Sequence, residues 1–155
     1  MSATRELATE AQMEALGREL AALSRPPLVV TLSGPLGAGK TTLVRAWLRA
    51  LGHSGPVRSP TYTLIETYRL DHLTVHHLDL YRLGDPEELE LIGVRDLDTA
   101  DALWLVEWPE RGANRLPAVN WALELDYAGE GRSVSGLPEA VSAVDGSARG
   151  AGRNS

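Results

Sequence analysis

The strongest chemical signal in this chain is one octapeptide, Gly34-Pro35-Leu36-Gly37-Ala38-Gly39-Lys40-Thr41, entered from the apolar run 28–32. It fits Gly-x-x-x-x-Gly-Lys-[Ser/Thr], the phosphate-binding P-loop, in the strand-before, helix-after setting that this loop requires. Glycines at 34, 37 and 39 remove the Cβ atoms that would stop a backbone from wrapping a phosphate chain. Successive N–H groups then face the anion, and the helix N-terminus behind them adds its positive end. The Lys40 ammonium can reach β- and γ-phosphates, and the Thr41 hydroxyl can ligate Mg²⁺. Lys40 is the only lysine in the chain, where the other permanently charged bases are all arginine. A compact ammonium on a flexible stem suits phosphate, so this residue stands apart from the compositional trend.

Hydrolysis or phosphoryl transfer needs, besides the loop, a metal-holding carboxylate at a neighbouring strand end. Asp79 closes the run 74–78 and Glu107 closes the run 103–106, and open α/β sheets bind ligands at such carboxyl ends. By the apolar character of its strand, Glu107 is the better candidate for the acid that organises a metal. Ser59-Pro60-Thr61 lies after the loop's helix, where nucleotide switches often place a hydroxyl that senses the γ-phosphate. Trp108, directly after Glu107, is suited to cover a nucleotide or a partner, or to fill core. His76 and His77 sit on alternate faces of one strand with no Cys and no third ligand at metal spacing, so both read as structural.

The elements that position these groups follow from periodicity. Residues 9–23 form an amphipathic helix with Met13, Leu16, Leu20 and Leu23 at helical spacing and Thr9 as N-cap. The buried strand 28–32 feeds the loop, and a helix over 40–51 follows it, with Leu43, Trp47 and Leu51 inward and Gly52 just past its end. Stretches 62–68 and 74–80 read as a β-hairpin. Asp85-Pro86-Glu87-Glu88 starts a short helix ending near Gly93. The apolar run 102–107 is a central parallel strand, 109–117 a loop, and 119–125 a half-exposed alternating strand that turns at 128–131 into a last strand near 132–137. Residues 138–144 read as a short closing element. Residues 1–145 are therefore expected to form one domain and 146–155, rich in Gly, Ser, Ala and Arg, a disordered tail.

Composition narrows the partners. A formal net charge of −6 with scattered arginines leaves no basic stripe for general nucleic-acid binding. The absence of cysteine removes disulfides and thiolate metal sites and fits a cytoplasmic location. Neither a leader-like segment nor an apolar run of membrane-spanning length is expected.

Five blocks in this order carry a resemblance to the TsaE (YjeE) family, the small ATPases of bacterial threonylcarbamoyladenosine tRNA modification. They are Leu36-Gly37-Ala38-Gly39-Lys40-Thr41-Thr42, Ser59-Pro60-Thr61-Tyr62-Thr63-Leu64, His77-Leu78-Asp79-Leu80-Tyr81-Arg82-Leu83, Asp85-Pro86-Glu87-Glu88-Leu89 and Glu107-Trp108-Pro109. The resemblance spans about residues 7–133. It implies that 37–42 cradle phosphate, that Thr41 and Glu107 hold Mg²⁺, that Asp79 is the strand-end acid near ATP, and that Thr61 is a switch-like hydroxyl. It also implies a role in activity for Trp108, an approach of Gly131 and Arg132 to the nucleotide, and an adenine side lined near Thr9 and Glu10. The implied partners are TsaB and TsaD, with tRNA reached only through that complex and no membrane involved. One departure stands out: the family usually has an acid after the first loop glycine, and here that position is Pro35.

The expected fold is an α/β P-loop NTPase fold, a mostly parallel central sheet flanked by helices, with added antiparallel strands. The expected activity is Mg²⁺-dependent ATP hydrolysis in tRNA threonylcarbamoyladenosine formation. Two alternatives share the loop: a small-molecule kinase, for which no lid segment is visible, and a nucleotide-gated binding module with negligible hydrolysis. A GTPase is disfavoured because the chain has no Asn-Lys-x-Asp guanine reader.

Overall fold

The computed structural model describes residues 3–60, 62–97 and 99–141. Its strands in chain order are β1 (Ala3–Leu7), β2 (Leu28–Ser33), β3 (Ile65–Arg69), β4 (Thr74–Asp79), β5 (Ala102–Glu107), β6 (Trp121–Ala128) and β7 (Gly131–Leu137). They form one sheet in the order β1-β7-β6-β2-β5-β4-β3. The four inner strands β6, β2, β5 and β4 are mutually parallel, and β1, β7 and β3 join antiparallel. This is the mostly parallel α/β sheet that the spacing of the motifs predicts.

Strand parity assigns the two faces. Leu28, Val30 and Leu32 of β2, with Leu103 and Leu105 of β5, turn toward helices α1 (Glu10–Ala22) and α2 (Lys40–Ala50). Val29, with Trp104 and Val106, turns to the opposite face under Leu80, Leu83 and Leu89, the last carried by the short helix α3 (Glu87–Leu91). Both faces of the inner strands are thus covered, which is why β2 and β5 read as unbroken apolar runs. The helix α1 begins where Thr9 Oγ1 accepts the Gln12 N–H at 3.2 Å, and it buries Met13, Leu16 and Leu20 along one side. Its Gly17 lies against α2 so closely that a Cβ there would come within 2.7 Å of Ala46 Cβ. That approach seats Trp47, fully buried with its Nε1–H donated to Ser24 Oγ at 2.9 Å. Burying a side chain of this size contributes on the order of 2–3 kcal/mol. Among the described residues no helix is long and apolar enough to cross a membrane.

Three local expectations change. The strand β1 is absent from the sequence reading because its inward positions are Arg5 and Leu7 rather than two apolar residues. The Arg5 guanidinium makes a two-pronged contact to Glu19 (2.7 and 2.9 Å) and donates to the Val141 carbonyl, so a cation can occupy a core-facing site. The hairpin's first strand starts at Ile65, not at 62. Leu64 takes a left-handed φ of 70° and its N–H closes a turn onto the Pro60 carbonyl, leaving Tyr62 85% exposed. Residues Pro109–Arg115 wind into 3-10 turns instead of open loop. Of the closing element 138–144, a turn donated by the Val141 N–H to Pro138 is described; residues 142–144 and the tail 146–155 lie outside the described residues.

Candidate functional site

The site forms where β2 ends. Gly34, at φ 142°, passes so near β6 that a Cβ would sit 2.1 Å from the Leu125 carbonyl oxygen. Gly37 (φ 81°) leaves room only for the Tyr127 hydroxyl, and Gly39 (φ 107°) is the N-cap of α2. No side chain caps α2, so its first N–H groups are left for an external acceptor. This is a cradle whose shape side chains at 34, 37 and 39 would fill.

Lys40 is the first residue of α2 and only 5% exposed. Its Nζ donates to the Gly34 carbonyl and, at 3.0 Å, to the Pro35 carbonyl, and it lies 4.3 Å from the centre of the Trp108 ring. Burial pulls the ammonium below the usual lysine range, against the opposing field of Glu107, Asp79 and Glu110. Pro35 therefore enters the loop through its carbonyl, which accepts from both Lys40 and the Ala38 N–H, so its missing N–H leaves that role intact.

The two strand-end acids meet by register. Asp79 of β4 is the direct neighbour of Glu107 on β5, and Leu32 of β2 stands beside Glu107 on the other side. Asp79 is raised above the ordinary carboxyl range, first by burial and then by the Glu107 carboxylate; the Tyr81 N–H on Oδ1 (3.1 Å), His77 and Lys40 oppose this. Glu107 is 2% exposed, and its Oε2 accepts from His77 Nε2 at 2.7 Å. Trp108 turns out of the strand at a left-handed φ of 57°, its N–H on the Leu32 carbonyl, and packs its ring against Tyr81 and Lys40. Lys40, Thr41, Asp79, Glu107 and Trp108 consequently line one groove of about 370 Å³.

A second groove, of about 230 Å³, opens on the other side of the loop and brings together Thr9, Glu10, Gly37, Gly39, Thr42 and Arg132. Arg132 Nε donates to the Gly37 carbonyl at 3.1 Å, and its guanidinium lies 4.7 Å from the Tyr127 ring centre. Tyr127 in turn donates its hydroxyl to the Leu36 carbonyl. Ala38 is buried beneath the loop, in the helix-side core. Thr61 lies outside the described residues.

Sequence reading thus names the two ends of the site but misses the side chains that brace it. Tyr127 and Tyr81 belong to no loop motif. His77, read as structural, is bonded to the very acid proposed to organise a metal. His76, one residue earlier, stays on the opposite face, bonded to Thr67 Oγ1 and edge-on to Trp104. Only the register of β4 against β5 distinguishes the two histidines.

Residues 7–134 match the family described as "Threonylcarbamoyl adenosine biosynthesis protein TsaE". The chain belongs to the TsaE family. It is 41% identical over 138 residues to the tRNA threonylcarbamoyladenosine biosynthesis protein TsaE of Haemophilus influenzae, covering 86% of this chain and 87% of that protein. It is 34% identical over 119 residues to the protein of that name from Bacillus subtilis, covering 77% and 74%. Among solved structures, the crystal structure of Bacillus subtilis YdiB superposes with a TM-score of 0.74 at 26% identity, over 87% of this chain and 84% of that one. The family match begins at Leu7, the last residue of β1, and ends at Val134, inside β7. It therefore takes in both grooves: the loop and strand-end acids, and the Thr9, Glu10 and Arg132 side.

Proposed function

We propose that this TsaE-family chain is a Mg²⁺-dependent ATP hydrolase that drives the TsaB–TsaD complex in forming threonylcarbamoyladenosine on tRNA. The observation that carries the reading is the convergence of one ammonium, one hydroxyl and two carboxylates (Lys40, Thr41, Glu107 and Asp79) on one groove beside an uncapped helix N-terminus. The donor set suits the ion. Among the described residues no three His, Asp or Glu side chains converge to cage a metal. Mg²⁺ prefers one or two protein oxygens completed by phosphates and water, and the Thr41 hydroxyl and Glu107 carboxylate are hard oxygens of that kind. When bound, Mg²⁺ supplies charge neutralisation on the phosphate oxygens.

The chain's own residues do the rest. Lys40 exchanges two loop carbonyls for phosphate oxygens, and its low water exposure strengthens that attraction. Asp79, with Oδ1 engaged by the Tyr81 backbone, offers Oδ2 to the proton of an attacking water. Its raised proton affinity suits an acceptor at that step. Arg132, Glu10 and Thr42 line the side that receives the nucleoside. Trp108 shields Lys40 and Tyr81 from water. Hydrolysis acts as a conformational timer for the complex, whose own chemistry makes the modified base, and tRNA is met only through it. The chain works in the cytoplasm, where tRNA is modified.

The test is phosphate release with and without TsaB–TsaD, run beside a tRNA-modification assay. Release that depends on Mg²⁺ and rises with the partners is expected. Label from the γ-phosphate accumulating on a metabolite would make the chain a kinase. Partner binding gated by ATP with no multiple turnover would make it a binding module.

A further inference from the structure

His77 is 1% exposed on β4, its Nε2 is 2.7 Å from Glu107 Oε2, and its buried Nδ1 has no hydrogen-bond partner among the described residues. A carboxylate oxygen accepts, so at this contact Nε2 is the donor. The ring cannot turn over without losing the bond to Glu107. It is fixed in the sheet by register, since His77 stands beside Leu105 and one diagonal step from Glu107. The bond occupies Oε2, and among the described residues Oε1 has no protein partner, which leaves it for the groove that Glu107 lines. A glutamate side chain has three rotatable bonds, and among the described residues no other hydrogen bond selects its rotamer. The neighbouring Asp79, by contrast, is set by the Tyr81 N–H.

We propose that His77 is a positioning residue: a one-directional hydrogen-bond donor that locks Glu107 so that Oε1 meets the metal–nucleotide complex. This rests on the ATPase reading above and assigns a role to a residue that reading does not use. Outer partners that orient a ligating carboxylate typically alter metal affinity or activity by about 10- to 100-fold when lost.

The test compares two polar substitutions of similar burden in the full-length protein. In His77→Gln the side-chain amide nitrogen falls where Nε2 was; in His77→Asn it falls near the Nδ1 position and cannot reach Glu107. ADP affinity in EDTA, Mn²⁺ affinity of the protein–ADP complex, kcat and KM for ATP, and the melting curve are measured for each. The expected result is unchanged ADP affinity in EDTA for both variants. Mn²⁺ affinity and kcat should fall at least about tenfold in His77→Asn at constant KM, with recovery to within about threefold of wild type in His77→Gln. Equal retention in both folded variants, or equal loss in both, overturns the proposal. Should His77→Asn fail to melt cooperatively, His77→Gln decides alone: wild-type-like Mn²⁺ affinity supports the role, and a tenfold loss overturns it. A wild-type protein that binds no Mn²⁺ with ADP and releases no phosphate overturns the ATPase reading and this role together; a failure confined to the variants overturns the role alone.

Discussion

The loop 34–41 has two unlike sides. On the inner side Asp79, Glu107 and His77 are held by parallel strands and Lys40 by the start of α2, largely out of water, and each has a partner set by sheet register or by the adjacent backbone. On the outer side Glu10, Tyr127 and Arg132 come from a helix start and the β6–β7 hairpin and are more exposed, and Tyr127 and Arg132 reach the loop through its carbonyls. The inner side concentrates charge in a dry place, where electrostatics are strong and errors of position are costly. The outer side offers wet contacts that are individually weak. On the proposed reading, phosphate binding and chemistry would fall to the inner side, and nucleoside fit to the outer.

The comparison breaks first at Lys40. Lys40→Ala is expected to lower ATP affinity by more than about 100-fold, since charge-assisted hydrogen bonds contribute roughly 1.5–3 kcal/mol each; near-normal binding by calorimetry would remove the inner side's claim to the phosphates. Next comes Glu107→Ala, which should leave ATP affinity within about threefold while turnover falls by about 10²–10³. Loss of binding and turnover together would show that the two sides do not divide the work. Arg132→Ala tests the other half: KM should rise by about three- to tenfold with kcat at saturation unchanged, a uniform-binding loss. A fall in kcat alone would move Arg132 across to the inner side.

The smallest effect concerns the fold itself. Asp79 binds its proton more tightly in the folded chain than in the unfolded one. Stability should therefore fall as pH rises from its ordinary pKa through the raised one, and that deficit persists at neutral pH. Lys40 has the opposite sign of shift, and its deficit is relieved only as pH climbs toward the ordinary lysine range. Measured without nucleotide, Asp79→Asn is expected to melt about 1–3 °C higher than wild type near pH 7 and to lose this acid-side slope. An unchanged melting profile from pH 4 to 7 would mean the inner side stores no such cost.

Legibility followed the same division. The inner strands and both long helices were readable because burial on two faces writes unbroken apolar runs, and helical burial writes a 3.6 period. The strand β1 was not, because a paired arginine occupies one of its inward positions. The start of the hairpin was misplaced because a β-branched, aromatic stretch carried no sign of Leu64's left-handed turn. Lys40, Thr41, Asp79 and Glu107 were named from loop spacing and strand ends. The brace from His77 was not, since its neighbour His76 has the same composition-level credentials.

By itself the sequence determined where a loop with the phosphate-binding pattern lies, which strand ends carry acids, and which family it resembles. All of these are local: a motif of eight residues, a run that ends in a carboxylate, blocks in order. Only the tertiary structure decided which acid touches His77, 30 residues away, and that Arg132 reaches Gly37, 95 residues away. It also showed that Pro35 contributes to the loop through its carbonyl. Contacts at such separations depend on strand order and register, which are set by how whole faces bury against each other and leave no mark in the spacing of any one segment.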